Sequence, residues 1–136
     1  MLEYCKTLGD FFAVGVASDS VVKSYKPNAP VIPLNQRMKM LRALRCVDIV
    51  IPYHELEYVS GCKKLNPDIF VIGEDWGDKK HNLDVEAYLK AEGKKIIQVS
   101  YNPLTSSSRI KKNIIAQTNR GSGYRSRLIE STEPVV

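Results

Sequence analysis

Short, nearly continuous apolar runs alternate along the chain with stretches whose apolar residues recur at helical spacing. Phe11-Phe12-Ala13-Val14-Gly15-Val16-Ala17 is apolar throughout. Val47-Asp48-Ile49-Val50-Ile51, Ile69-Phe70-Val71-Ile72 and Ile96-Ile97-Gln98-Val99 are short and rich in β-branched residues. Such runs predict strands covered on both faces, as in a parallel sheet. Between them, Leu34, Met38, Leu41 and Leu44 predict a helix. A second helix is expected over 55–65, before Pro67, and a third from about Asp84 to Glu92, stopped by Gly93. A last helix is expected from about Ser107 to Gln117. Strands alternating with helices build βαβ units with right-handed crossovers, so the predicted class is α/β.

The first residues fit this scheme less well. Leu2, Cys5 and Leu8 share one helical face and run directly into Gly9-Asp10 and a strand. That reads as the end of a helix, so the domain is expected to open partway through its fold. A short native helix is the alternative.

A length of 136 residues suits one domain, and 43% hydrophobic content supplies a core. No run approaches the roughly 20 apolar residues that span a bilayer, and the N-terminus lacks the parts of a signal peptide. The expectation is a cytoplasmic protein with no membrane partner. Cys5, Cys46 and Cys62 form no C-x-x-C pair, which argues against a disulfide framework or a structural zinc site. Cys46, between apolar neighbours, is expected to be a buried thiol. The net charge of +5 is unevenly spread: residues 1–108 carry 14 Lys+Arg against 13 Asp+Glu, and residues 109–136 carry six against two. The excess sits among Arg120, Gly121, Ser122, Gly123, Arg125, Ser126 and Arg127, a composition with little to bury. Residues 118–136 are therefore expected to be a basic, solvated tail beyond a domain at 1–117, with no nucleic-acid partner.

Four segments, in order, resemble the HxGH nucleotidyltransferases of the cytidylyltransferase type. Leu8-Gly9-Asp10 with the strand to Asp19 resembles that family's "LGD, apolar strand, S/T-D" segment. Gln36-Arg37 and Leu44-Arg45-Cys46-Val47-Asp48-Ile49-Val50-Ile51-Pro52 look like its "E/QR…LR-x-VD-x-VIP" stretch. Asp68-Ile69-Phe70-Val71-Ile72-Gly73-Glu74-Asp75-Trp76 resembles the "DxFVxGDDW" strand end of glycerol-3-phosphate cytidylyltransferases, and Ser106-Ser107-Ser108-Arg109-Ile110-Lys111 their "STTKIK" helix start. The resemblance covers about residues 1–115. It implies a Rossmann-like fold with a mostly parallel sheet, lacking its first, central strand, because the strand, turn and H-x-G-H that precede these motifs in the family are absent here. His54 and His81 stand in the wrong places to replace them and read as surface histidines. Tyr101 stands where the family usually has an arginine.

The implied reaction is transfer of CMP from CTP to a phosphorylated small alcohol such as glycerol 3-phosphate, releasing pyrophosphate. A divalent cation, magnesium by expectation, accompanies the nucleotide, and a homodimer is one option. The alternatives are a catalytically inactive nucleotide-binding remnant, or cytidylyl or adenylyl transfer to a phosphonate or sugar phosphate. Such an enzyme must hold two polyanions together and neutralise charge in the transition state. In an open parallel sheet, ligands collect beyond the carboxyl ends of the strands, where Asp19, the loop carrying Lys23 and Lys26, Gly73-Glu74-Asp75-Trp76 and Asn102 to Ser107 are expected.

Each candidate has a plainer reading. Ser106, Ser107 and Ser108 open a helix whose free amides and hydroxyls suit phosphate, although one serine could simply be an N-cap. Lys26, in a proline-rich loop, either reaches the triphosphate or is solvated. Arg37 and Arg45, placed on one helix about 80° apart, either face phosphates or pair with carboxylates, with Asp48 orienting Arg45 or acting structurally. Trp76 either walls a base or acceptor pocket or covers the sheet edge. Asp75 fixes its loop or touches the acceptor.

Overall fold

The computed structural model describes residues 1–100 and 106–120. Tyr101 to Thr105 and the residues from Gly121 onward, including most of the expected tail, lie outside the described residues. The chain divides into two compact units at Tyr101 and Asn102.

In the first unit, α1 (Leu2–Thr7) leads into β1 (Ala13–Ala17), α2 (Asp19–Tyr25), α3 (Leu34–Arg42), β2 (Ile49–Tyr53), α4 (Val59–Leu65), β3 (Ile69–Gly73), α5 (Lys80–Ala91) and β4 (Lys95–Val99). All four expected strands form, and both ladders are parallel: β1 with β2, β3 with β4. The expected single sheet is instead two separate two-stranded sheets, since β1 and β3 are not hydrogen-bonded to each other.

Several element ends differ from expectation for local reasons. α2 was not foreseen; Ser18 caps it by accepting from the Val21 N–H at 3.3 Å, and Val21 and Val22 bury its inner face. α3 stops at Arg42, where the Ala43 and Leu44 amides bond back to Lys39 and Leu41 and tighten the last turn. Arg45 therefore lies beyond the helix that was expected to carry it. α4 begins only at Val59 and ends on Asn66, whose left-handed φ of 47° precedes Pro67. α5 starts at Lys80, four residues earlier than expected, and Gly93 at φ +66° follows its end.

The layers follow from strand alternation. Val14, Val16 and Val50 face Leu34, Met38 and Leu41 of α3. On the opposite face, Tyr53 lies 3.7 Å from where a Cβ on Gly15 would stand, and Ala17 packs with Val21 and Val22. Across the two sheets, Phe70 packs with Cys62 of α4 and with Val85 and Leu89 of α5. Tyr58 joins the halves: its ring is 5.6 Å from Tyr53, 6.2 Å from Phe70 and 5.4 Å from Trp76. The α4–α5 layer thus lies on the face opposite α3.

Cys5 and Cys62 are buried, and burial pushes both thiols up, which makes them poor nucleophiles. Cys46, expected to be buried, is only partly so because α3 ends before it and leaves it in a turn.

Among the described residues, Val85 and Leu89 are the largest fully buried side chains. Leu89→Ala is expected to cost about 2–5 kcal/mol, read as a lowered urea midpoint. Leu83→Ala, on the exposed side of the same helix, should stay within about 0.5 kcal/mol of the parent.

Candidate functional site

Parallel pairing sends the carboxyl ends of β1 and β2 the same way, and the Ser18 N–H, donating to the Tyr53 carbonyl at 2.9 Å, fastens the two ends together. β3 ends at Gly73, and a turn closed by the Trp76 N–H on the Gly73 carbonyl (3.2 Å) carries Glu74, Asp75 and Trp76 toward α5. The Tyr53–Tyr58–Trp76 chain of rings brings both carboxyl ends to one rim.

Two lysines from the two halves meet at that rim. Lys26, at the end of α2, places its ammonium 5.7 Å from the centre of the Tyr25 ring. Lys79, the residue before α5, places its own 5.9 Å from the same ring. Both side chains are exposed. Tyr25 orients two cations that no local spacing connects, because one follows β1 and the other follows β3. Lys79 was not among the expected site residues. Its one sequence signal was a Lys79-Lys80 pair just after a strand-end motif.

Asp19 and Arg37 are also brought together at this rim, but onto each other. Arg37 donates to the Asp19 carboxylate at 2.5 Å and, through Nε, to the Ile32 carbonyl at 3.0 Å. Asp19 also accepts from the Leu34 N–H at 3.4 Å. The pair joins the starts of α2 and α3 and closes the loop between them. A phosphate at Arg37 must compete with this carboxylate.

Trp76 is half-buried rather than open to a pocket. Its indole N–H donates to Glu86 at 2.6 Å, and its ring stacks on Tyr58 and meets Phe70 edge-on. The edge-covering reading describes these contacts. Asn82, buried in the first turn of α5, fixes the loop: its amide donates to the carbonyls of Trp76 and of Gly77, the latter at 3.0 Å. Gly77 supplies the positive φ of 63° that the turn needs. Glu74 and Asp75 are exposed on this loop. His54 is exposed as expected, but His81 is half-buried with its ring 5.6 Å from Tyr58, because α5 begins early enough to include it. Burial, first of all, pushes the Tyr53 and Tyr58 phenols up.

Arg45 lies at the other end of the strands. It is exposed in the turn before β2, beside Met1, Leu2 and Glu3, in a shallow cavity that Cys46 also lines. Asp48 does not orient it. The Asp48 carboxylate accepts from Lys6 Nζ and from the Phe12 N–H, both at 2.6 Å, and so pins α1 to the start of β1. Ser106, Ser107 and Ser108 belong to the second unit, where Ser106 Oγ accepts from the Arg109 N–H at 3.2 Å and caps α6 (Ser107–Arg120). Ser107 and Ser108 are exposed in its first turn. Tyr101 and Asn102 to Thr105 lie outside the described residues.

Among the described residues, no three His, Cys, Asp or Glu side chains are grouped to hold a metal ion, so a divalent cation has no ready-made protein cage there. No described helix is long and apolar enough to cross a membrane.

With this geometry in view, the comparisons with known proteins are decisive. Residues 1–130 match the family described as Cytidylyltransferase-like. The chain belongs to that family. It is 34% identical over 110 residues to a FAD synthase of Methanocella paludicola, spanning 79% of this chain and 78% of that protein. It is 41% identical over 80 residues to the bifunctional protein HldE of Campylobacter fetus, spanning 58% of this chain but only 18% of that one. Among solved structures, the lipopolysaccharide core biosynthesis protein of Thermoplasma volcanium superposes with a TM-score of 0.59 at 27% identity, over 74% of this chain and 80% of that chain. The expected nucleotidyltransferase family and α/β class are therefore established.

Two outcomes test the local geometry. Asn82→Ala leaves the Trp76 and Gly77 carbonyls without their donor, at a cost of about 1–3 kcal/mol; tryptic cleavage at Lys79 should quicken and Trp76 emission should shift red. The second concerns Asp48, whose carboxyl is held below the usual carboxylate range by its hydrogen bond from Lys6 and then by the Phe12 N–H. A depressed folded-state value gives stability that is present above the unfolded value of about 3.9 and lost as pH falls through the lower folded one. Asp48→Asn should flatten the acid limb of the stability–pH curve in that window.

Proposed function

We propose that the rim defined by Lys26, Tyr25 and Lys79 binds the phosphates of a nucleoside triphosphate, and that the chain serves nucleotidyl transfer to a phosphorylated small alcohol. The observation that carries this reading is the convergence of two exposed ammonium groups, from loops after β1 and β3, on one tyrosine ring. A triphosphate needs cations at more than one oxygen, and groups held in place before binding cost little reorganisation. Exposed lysines on a ring remain free to leave it for a stronger anion. Asp19 and Arg37 shape the same rim. By themselves, Ser106, Ser107 and Ser108 in the second unit are a separate cluster of amides and hydroxyls suited to phosphate. Gly73, Glu74 and Asp75 are assigned to the acceptor side, with Trp76 as their support.

In this reaction an acceptor phosphate oxygen attacks the α-phosphorus, the bond to the bridging oxygen breaks, and pyrophosphate leaves with both electrons of that bond. This chain's part is to hold the charge and align the groups. A divalent cation, if bound with the triphosphate, would supply charge neutralisation at phosphate oxygens.

Two donors have specific support. The Gly73-Glu74-Asp75-Trp76 segment and the family favour CTP, with glycerol 3-phosphate as the acceptor. The relatives named FAD synthase favour ATP, since FAD is an adenylyl group joined to a flavin phosphate. An inactive chain that still binds nucleotide fits the same rim.

Calorimetry with CTP and ATP tests this function. Lys26→Ala and Lys79→Ala are each expected to weaken triphosphate binding about tenfold, the equivalent of about 1.4 kcal/mol, while Lys90→Ala, on the outer face of α5, leaves it unchanged. Binding that ignores both rim lysines rejects the site. Tighter binding of ATP than of CTP decides for adenylyl transfer.

A further inference from the structure

Two of the three cysteines meet at the end of the strands away from the lysine rim. α1 is held there by the Lys6 ammonium, which donates to the Asp48 carboxylate and to the Asp10 carbonyl, both at 2.6 Å. The same carboxylate accepts from the Phe12 N–H, so α1, the start of β1 and the turn before β2 share one anchor. One turn back, Met1 to Glu3 face Ala43 to Cys46 across a shallow cavity of about 580 Å³. The two segments therefore run side by side, with Cys5 next to Lys6 in one and Cys46 just before Asp48 in the other.

Cys5 is the one side chain that α1 buries, at 6% exposure. So short a helix has too few intrahelical bonds to persist alone, and its contact with this turn is what holds it. Burial above all pushes the Cys5 thiol up, and Cys46, close enough to act on it, pushes the same way. Cys46 is only partly covered and lines the open cavity. Cys62 lies elsewhere, packed with Val85 and Leu89. The pair is thus asymmetric, with one thiol reachable from solvent and one enclosed beside it.

We infer that Cys5 and Cys46 are an oxidisable pair, in which Cys46 meets a small disulfide such as oxidised glutathione and Cys5 then closes an internal disulfide. In the first step the Cys46 thiolate attacks one sulfur of the reagent, the reagent's S–S bond breaks, and one glutathione thiolate leaves. In the second, the Cys5 thiolate attacks Cys46 Sγ and expels the other glutathione thiolate. The protein loses two protons and two electrons, and the reagent leaves as two thiols. Cys5 is a poor attacker of free reagents because its thiolate is scarce, but a sulfur on the neighbouring segment needs no encounter from solution. Closing the loop from residue 5 to residue 46 removes freedom from the unfolded chain. It also ties α1 covalently where the partly exposed Lys6–Asp48 pair ties it electrostatically. That ion pair weakens as salt rises, and a disulfide does not. The inference is separate from the nucleotide reading, since neither thiol lies at the rim of Lys26 and Lys79.

The test incubates the full 136-residue chain with oxidised glutathione, then alkylates and digests it. The intact mass is expected to fall by two hydrogens, with the peptides holding Cys5 and Cys46 joined and Cys62 still alkylated. The oxidised chain should melt roughly 5 °C or more above the reduced one, keep that margin in high salt, and lose it in dithiothreitol. Cys5→Ser should stop at a glutathione adduct on Cys46, whereas Cys46→Ser should form neither the adduct nor the internal bond. If the buried hydroxyl of Cys5→Ser unfolds the chain, Cys5→Ala gives the same readout. An internal bond that includes Cys62, an adduct on Cys46 that persists in the parent, or a disulfide joining two chains overturns the inference. So does a chain whose three thiols all stay free, or a Cys5–Cys46 bond with no gain in Tm, which forms only by pulling α1 from its native place.

Discussion

Two-stranded sheets of five residues are too small to persist alone in water, so the first unit depends on whatever ties its two pairs together. That tie is the aromatic chain from Tyr53 through Tyr58 to Phe70 and Trp76. Gly15 leaves room for the Tyr53 ring beside β1, and Tyr58, just before α4, carries the contact into the layer built on Val85 and Leu89. Because Tyr53, Tyr58 and Trp76 cluster at the carboxyl ends of β2 and β3, they align the halves where ligand chemistry in this class of fold is done. An aromatic cluster can hold such an alignment without a continuous ladder, since each ring buries a large area and its edge-to-face contacts add direction.

The rim so formed is selective about its charges. Asp19 neutralises Arg37, and Glu86 occupies the Trp76 indole N–H, so these groups shape the loops before they meet any ligand. Lys26 and Lys79 rest on a tyrosine instead of a carboxylate. A ring holds a cation less tightly than a buried carboxylate would and leaves its full charge in place. At the opposite end of the strands, Lys6 and Asp48 clamp α1 to the sheet. One end is therefore pinned by an ion pair, and the other carries two exposed lysines on a tyrosine ring.

Most of the architecture was readable from local pattern. Apolar runs of β-branched residues marked all four strands because burial on both faces leaves no polar positions. Gly93 marked a helix end because only a residue without a Cβ takes a left-handed turn freely. The misreadings share one cause, which is that local pattern does not report where tertiary contacts stop. Leu44 continues the period of α3, yet the helix closes at Arg42, and Arg45 falls at the end of the strands opposite Asp19, Lys26 and Arg37. α2 is too short for its period to show, and Ser18 was its main signal. His81 read as a surface residue until the early start of α5 put it against Tyr58.

What the sequence by itself determined was class and family: strand-forming runs, their alternation with helices, and short segments whose order along the chain resembles one group of nucleotidyltransferases. These are properties of neighbouring residues, and neighbouring residues carry them wherever the chain goes. Tertiary structure alone decided which charges are spent and which remain available. Arg37 could have faced a phosphate but found Asp19, eighteen residues away, and Lys79 joined Lys26 across more than fifty. It also decided that β1 and β3 stand apart with open edges, because strand pairing is a contact between distant segments and no run of adjacent residues encodes its partner.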